Sequence, residues 1–118
     1  DVGDDYPLSC IESARRVVPG PGLRRGVIGV LGNGEQIFAT KVVGCRAALV
    51  WSTRTARFAR EHNEARMVGD RMHGAAGVAE IVEAFLGTRF SGGERHARRI
   101  RLIADFEAAG DAPPICAG

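Results

Sequence analysis

Glu35 follows the second glycine of the run "GNGEQ" at 32–36. A glycine turn that feeds a helix leaves backbone N–H groups unpaired and attracts anions. A carboxylate inside such a turn has two readings. It can simply be a favourable acid in the first helical turn. Alternatively, it can take a proton from a carbon beside a carbonyl while the neighbouring N–H groups stabilise the oxyanion that forms. Gly32 and Gly34, on either side of Asn33, would let the backbone turn and approach a ligand closely.

A second candidate is "REHN" at 60–63. His62 can move protons near neutral pH, and Asn63 can hydrogen-bond a substrate oxygen. Both residue types are equally at home at a helix C-terminus. A third candidate is "GGERHARRIRLIADFE" at 92–107. Arg95 and Arg99 are four apart and share a helix face. Two guanidiniums near a helix start suit a phosphate, and the plain alternative is a solvated basic face. His73 and His96 have no evident partner and read as structural histidines.

These residues need elements to hold them. The apolar runs "GVIGVL" at 26–31, "RAALVW" at 46–51 and "ARMV" at 65–68 predict three strands. Helices are expected over 8–18, 34–43, from Ser52 or Thr53 to about Asn63, and from about 94 to 108. Val78, Ile81, Val82, Phe85 and Leu86 mark a further amphipathic helix. "PGPG" at 19–22 is a hard stop, and "GDAPPICAG" reads as an extended tail. Strand–helix alternation implies a parallel sheet flanked by helices. Ligands bind such sheets beyond the carboxyl ends of the strands. The turn at 32–35, residues 52–54 and residues 69–71 fall at that edge.

With 118 residues the chain suits one domain with a modest core. A net charge of +2 gives no electrostatic case for a nucleic-acid partner, and aromatic residues do not interleave the basic run. Lys41 is the only lysine. Cys10, Cys45 and Cys116 are odd in number and lack a CxxC pair, which argues against a disulfide framework or a zinc site. No apolar run is long enough to cross a membrane and no signal-peptide pattern opens the sequence, so a cytoplasmic protein is expected. The sequence begins "DVGDDYPLSC", without an initiator methionine. Three strands are few for a doubly wound sheet, so a missing N-terminal part is expected.

In order and spacing, "DDYP", "GNGEQI", Lys41, "RAALVW", "TARFAREHN", "RMH", "EIVEAFLGTRFSGGERHARRI" and "APP" resemble the ribose-5-phosphate isomerase type B family, the RpiB/LacAB sugar-phosphate isomerases. The resemblance runs from Asp4 to Pro114 and is strongest to the actinobacterial branch, where glutamate rather than cysteine is the base. It implies a three-layer αβα sandwich with a parallel Rossmann-like sheet, one domain over residues 1–118, with the N-terminal βα unit missing. It also implies isomerisation of aldose and ketose phosphates, ribose 5-phosphate to ribulose 5-phosphate, through an enediolate and without metal or cofactor.

By resemblance Glu35 is the base, and Gly32, Asn33 and Gly34 form the loop that stabilises the enediolate. His62 assists ring opening beside Asn63, and Tyr6 lines the sugar pocket. Arg71, Arg95 and Arg99 bind the phosphate. The family's site lies between two subunits, which implies a homodimer. The chain departs from the family pattern in several places. An N-terminal Asp-His pair is absent, Val30 and Leu31 replace a Gly-Ser or Gly-Thr step, and Thr40 and Val43 replace asparagine and proline. The stretch "VGDRMH" is also about two residues shorter than its family counterpart. Weak or absent isomerase activity is therefore expected of these 118 residues alone. The alternative is a non-catalytic paralogue that binds a sugar phosphate or only dimerises.

Overall fold

Short apolar runs between glycine turns become strands in the computed structural model of the chain, which describes residues 5–20, 22, 25–29, 32–65, 67–71, 75–111 and 114. Val30, Leu31, His73 and Cys116 lie outside the described residues. The elements are α1 (Tyr6–Val17), β1 (Arg25–Gly29), α2 (Asn33–Thr40), β2 (Ala47–Val50), α3 (Thr53–Asn63), β3 (Met67–Arg71), α4 (Ala75–Gly87) and α5 (Glu94–Ala109).

Among the described residues, the strand pairings are all parallel, in the order β1-β3-β2. Arg25 and Ala47 both stand opposite Met67, so the three strands start at one level. Gly29 stands opposite Arg71 and Val50 opposite Asp70, so they also end together. The sheet thus has an amino edge and a carboxyl edge. Parallel neighbours need a crossover that carries the chain back; α2 and α3 therefore begin near the carboxyl edge and end near the amino edge.

The third strand starts two residues later than the apolar run at 65–68 predicts. Ala65 is buried for another reason. Its N–H donates to the Ala59 carbonyl at 3.0 Å and its carbonyl accepts from Arg60 Nη1 at 2.6 Å, which closes the end of α3. Gly69 and Asp70 instead extend β3, because a central strand is held through its backbone by neighbours on both sides.

Val50, Ala56, Ala59, Ala65, Ile81 and Phe85 form one buried cluster, with Ala48 packed against it. Ala14, Val17, Ala39 and Cys45 form a second, with Ala47 against it. Successive strand side chains point to opposite faces. β2 therefore sends Ala48 and Val50 to one cluster and Ala47 to the other. Phe85 and Ile81 are fully buried, each stabilising the fold by about 1.5–3 kcal/mol.

Small residues explain why α1 is faint in the sequence. Its buried face is Cys10, Ala14 and Val17, spaced for a helix but carrying little apolar bulk. At the other extreme, α5 buries no residue completely. Near its C-terminal end, Glu107 Oε2 accepts from the Gly44 N–H at 2.9 Å, which ties α5 to the turn entering β2. Leu102, Ile103 and Phe106 remain about half exposed.

Candidate active site

The Glu35 region is built from backbone. Just beyond β1, Gly32 adopts φ +73° as the N-cap of α2, a left-handed conformation that favours glycine. No side chain caps this helix. The first N–H groups of α2 have no intrahelical partner and lie near the carboxyl edge, with Glu35 in the same turn. Gly34 is required for a different reason. A Cβ there would collide with Tyr6 Oη and stand 3.2 Å from Tyr6 Cζ. The Tyr6 ring meets Phe38 edge-on at 5.6 Å, which holds the phenol over the first turn of α2.

Cys10, one helical turn beyond Tyr6, is buried beneath this turn. Burial, and secondarily the charge of Glu35, pushes its thiol pKa up. The thiol therefore stays protonated and is a poor nucleophile.

The His62 region is built from side chains. Ser52 and Thr55 form a reciprocal capping box at the start of α3, with Thr55 N–H donating to Ser52 Oγ at 3.1 Å and Ser52 N–H to Thr55 Oγ1 at 3.1 Å. The helix then runs to Asn63 and stops at Glu64, a non-glycine residue at φ +47°. Arg46 holds that end. Its Nε donates to the Asn63 carbonyl at 2.8 Å and its Nη2 to the Glu64 carbonyl at 3.3 Å. Buried Arg60 donates from Nε to the Thr88 carbonyl at 3.2 Å, and Ser91 N–H donates to the Glu61 carbonyl at 3.1 Å. These two bonds pin the segment before α5 to the last turn of α3.

That pinning brings two histidines together. The His62 ring stacks on Phe58 at 5.0 Å and on His96 at 4.5 Å, with planes within 13° and 10° of parallel. Arg54 caps the far side of Phe58, its guanidinium carbon 5.3 Å from the ring centre. His96 is thus not the partnerless histidine that the sequence suggests. Its pKa is lowered by desolvation, then by His62, Arg95 and Arg99. The i, i+4, i+8 spacing of Arg54, Phe58 and His62 is visible in the sequence as one helix face, whereas the arrival of His96 is not.

Arg95 and Arg99 are exposed on α5, one turn apart, and among the described residues neither has an acidic partner. Asn63 is exposed next to His62. Arg71 closes β3 at the carboxyl edge, the same edge as the Glu35 turn.

The chain does not bring all these residues into one place. Tyr6, Gly32, Asn33, Gly34 and Glu35 gather near the carboxyl edge. His62, Asn63, Arg95 and Arg99 gather near the amino edge, at the far end of α3, a helix roughly 16 Å long. Among the described residues, no hydrogen bond, ion pair or ring contact joins Glu35 to His62.

The ribose/galactose isomerase family model matches residues 1–103. The chain belongs to that family. Among its relatives, the ribose-5-phosphate isomerase B of Mycobacterium leprae is 52% identical over 117 residues, covering 98% of this chain and 72% of the relative. That of Mycobacterium tuberculosis strain CDC 1551 is 50% identical over the same shares of both chains. Among solved structures, the type B ribose 5-phosphate isomerase of Trypanosoma cruzi aligns with a TM-score of 0.84 at 40% identity, covering 91% of this chain and 71% of that one. The ribose-5-phosphate isomerase B of Clostridium thermocellum aligns at 0.82 and 37%, covering 91% and 73%. The family's Rossmann-like architecture agrees with the parallel order found here.

Proposed function

We propose that the protein is an aldose–ketose isomerase of phosphorylated sugars, interconverting ribose 5-phosphate and ribulose 5-phosphate. The observation that carries this reading is Glu35 in the first turn of α2, a turn with no side-chain cap among the described residues. Its family membership supplies the substrate class.

In this mechanism His62 helps the furanose ring open by moving the proton between ring oxygen and anomeric hydroxyl. Glu35 then takes the proton from C2 of the aldehyde form. The negative charge spreads onto oxygen as an enediolate, and the N–H groups of the Gly32–Gly34 turn stabilise it. Return of the proton to C1, with transfer of the hydroxyl proton from O2 to O1, gives the ketose. Arg95 and Arg99 hold the phosphate, joined by Arg71, while Tyr6 and Asn63 line the sugar. Proton transfer between adjacent carbons is redox-neutral within the substrate and needs no electron acceptor.

The opposite placement of Glu35 and His62 supports a site completed by a second copy of the chain. An antiparallel homodimer would bring the carboxyl edge of one protomer to the amino edge of the other. The half-exposed Leu102, Ile103 and Phe106 of α5 offer apolar surface for that association. Residues of opposite parity on β2 feed two separate clusters, which supports a three-layer αβα sandwich. The buried Cys10 thiol suits a reducing, cytoplasmic setting.

Incubation with ribose 5-phosphate in deuterated water, followed by NMR, tests the reaction. Ribulose 5-phosphate carrying solvent deuterium at C1 is expected. A sugar recovered with neither conversion nor exchange would contradict the proposal.

A further inference from the structure

The ring of His62 is covered on both faces, by Phe58 and by His96. Only its edge, with the two nitrogens, is left open, and among the described residues neither nitrogen has a hydrogen-bond partner. His96 is itself fixed. The bonds from Arg60 to Thr88 and from Ser91 to Glu61 set the path of the chain into α5. Gly93 leaves room for the ring, since a Cβ there would stand 3.2 Å from His96 Cδ2. A proton carrier held only by its faces keeps a fixed orientation while its nitrogens stay free for substrate, which is what preorganised proton transfer requires.

We propose that His96 is a positioning residue for His62: stacked against it at 4.5 Å, it closes the second face of the His62 imidazole. The proposal rests on the isomerase reading of this site. Two imidazolium rings 4.5 Å apart would repel. The charged groups around His96 are His62 from α3 and Arg95 and Arg99 from its own helix, all cationic when protonated. Each disfavours the second proton. His96 therefore takes up a proton less readily than an isolated histidine. Phe58 supplies the same face-to-face support from the other side without a titrating group, so the column has one inert neighbour and one that senses charge.

Histidine ring titrations by NMR test this in the parent, His62→Gln and His96→Phe proteins. In the parent, His96 is expected to titrate below the usual histidine range. In His62→Gln its midpoint should move upward, because one of the groups opposing its proton is gone. Kinetics supply the second arm. His96→Ala opens the face of His62 and should lower kcat about tenfold with KM changed by less than about twofold. His96→Phe keeps a ring in the stack and should recover most of that kcat. If the His96 midpoint does not move in His62→Gln while the parent is active, this proposal falls and the isomerase reading stands. Should His96→Phe be as poor as His96→Ala, with inorganic phosphate inhibiting both more weakly than the parent, His96 is a phosphate ligand and the proposal is again overturned. A parent that never turns over ribose 5-phosphate removes the isomerase reading and this inference with it.

Discussion

At the carboxyl edge, the candidate site is built from backbone. Gly32 turns, Gly34 makes room for Tyr6, and Glu35 stands in the uncapped first turn of α2. At the amino edge it rests on side chains, with the stacked rings of Phe58, His62 and His96 beside two exposed arginines. The first arrangement suits an oxyanion, whose position must be fixed relative to the base. The second suits the proton shuttling of ring opening and the grip on a phosphate. The candidate residues thus fall into two groups at opposite edges of the sheet, and the proposed isomerase site needs both.

Substitutions at each edge should fail in different ways. The largest effect is expected for Glu35→Gln, which keeps the side-chain shape and removes the base. Turnover should fall about 10²–10⁴-fold with the fold intact by circular dichroism. Arg95→Ala and Arg99→Ala should each weaken substrate binding by about 1.5–3 kcal/mol, the range for a charge-assisted contact. Calorimetry with inorganic phosphate measures this, and unchanged affinity would return both residues to a solvated face. Gly34→Ala should cost about 1–3 kcal/mol of stability by forcing Tyr6 aside. Because the collision is with the phenolic oxygen, Tyr6→Phe should recover part of that loss in the double variant. Ser52→Ala removes the cap of α3 and should cost about 1 kcal/mol in urea denaturation, leaving phosphate affinity unchanged.

The smallest effect concerns acidity. His96 binds its proton less readily when folded, so its contribution to stability is present above the usual histidine pKa and is lost as pH falls through the lowered value. A slight drop in the urea midpoint between neutral and mildly acidic pH is expected, and His96→Phe should reduce it.

Much of the fold is legible in the sequence because continuous apolar runs between glycine turns allow few alternatives. The runs at 26–31 and 46–51 predict β1 and β2 to within two residues. The run at 65–68 misleads, since Ala65 is buried to close α3 rather than to form a strand. Of the candidate site, the GNGE turn and the Arg95–Arg99 spacing are local patterns and are visible directly. The Arg46 clamp on the end of α3 and the stacking of His96 on His62 join segments 17 and 34 residues apart. They depend on how loops are pinned, which no periodicity encodes. The resemblance already implies a site shared between subunits, and the strand register adds which candidate residues stand at which edge.

Subunit mixing tests this division most directly. Glu35→Gln and His62→Ala homodimers should each be nearly inactive. A mixed dimer contains one site with both defects and one with native Glu35 facing native His62. With random exchange and independent sites, activity should recover to about a quarter of the native level. Verified mixed dimers that show no recovery would mean that Glu35 and His62 do not meet across a subunit interface, and the account of two complementary half-sites would be wrong.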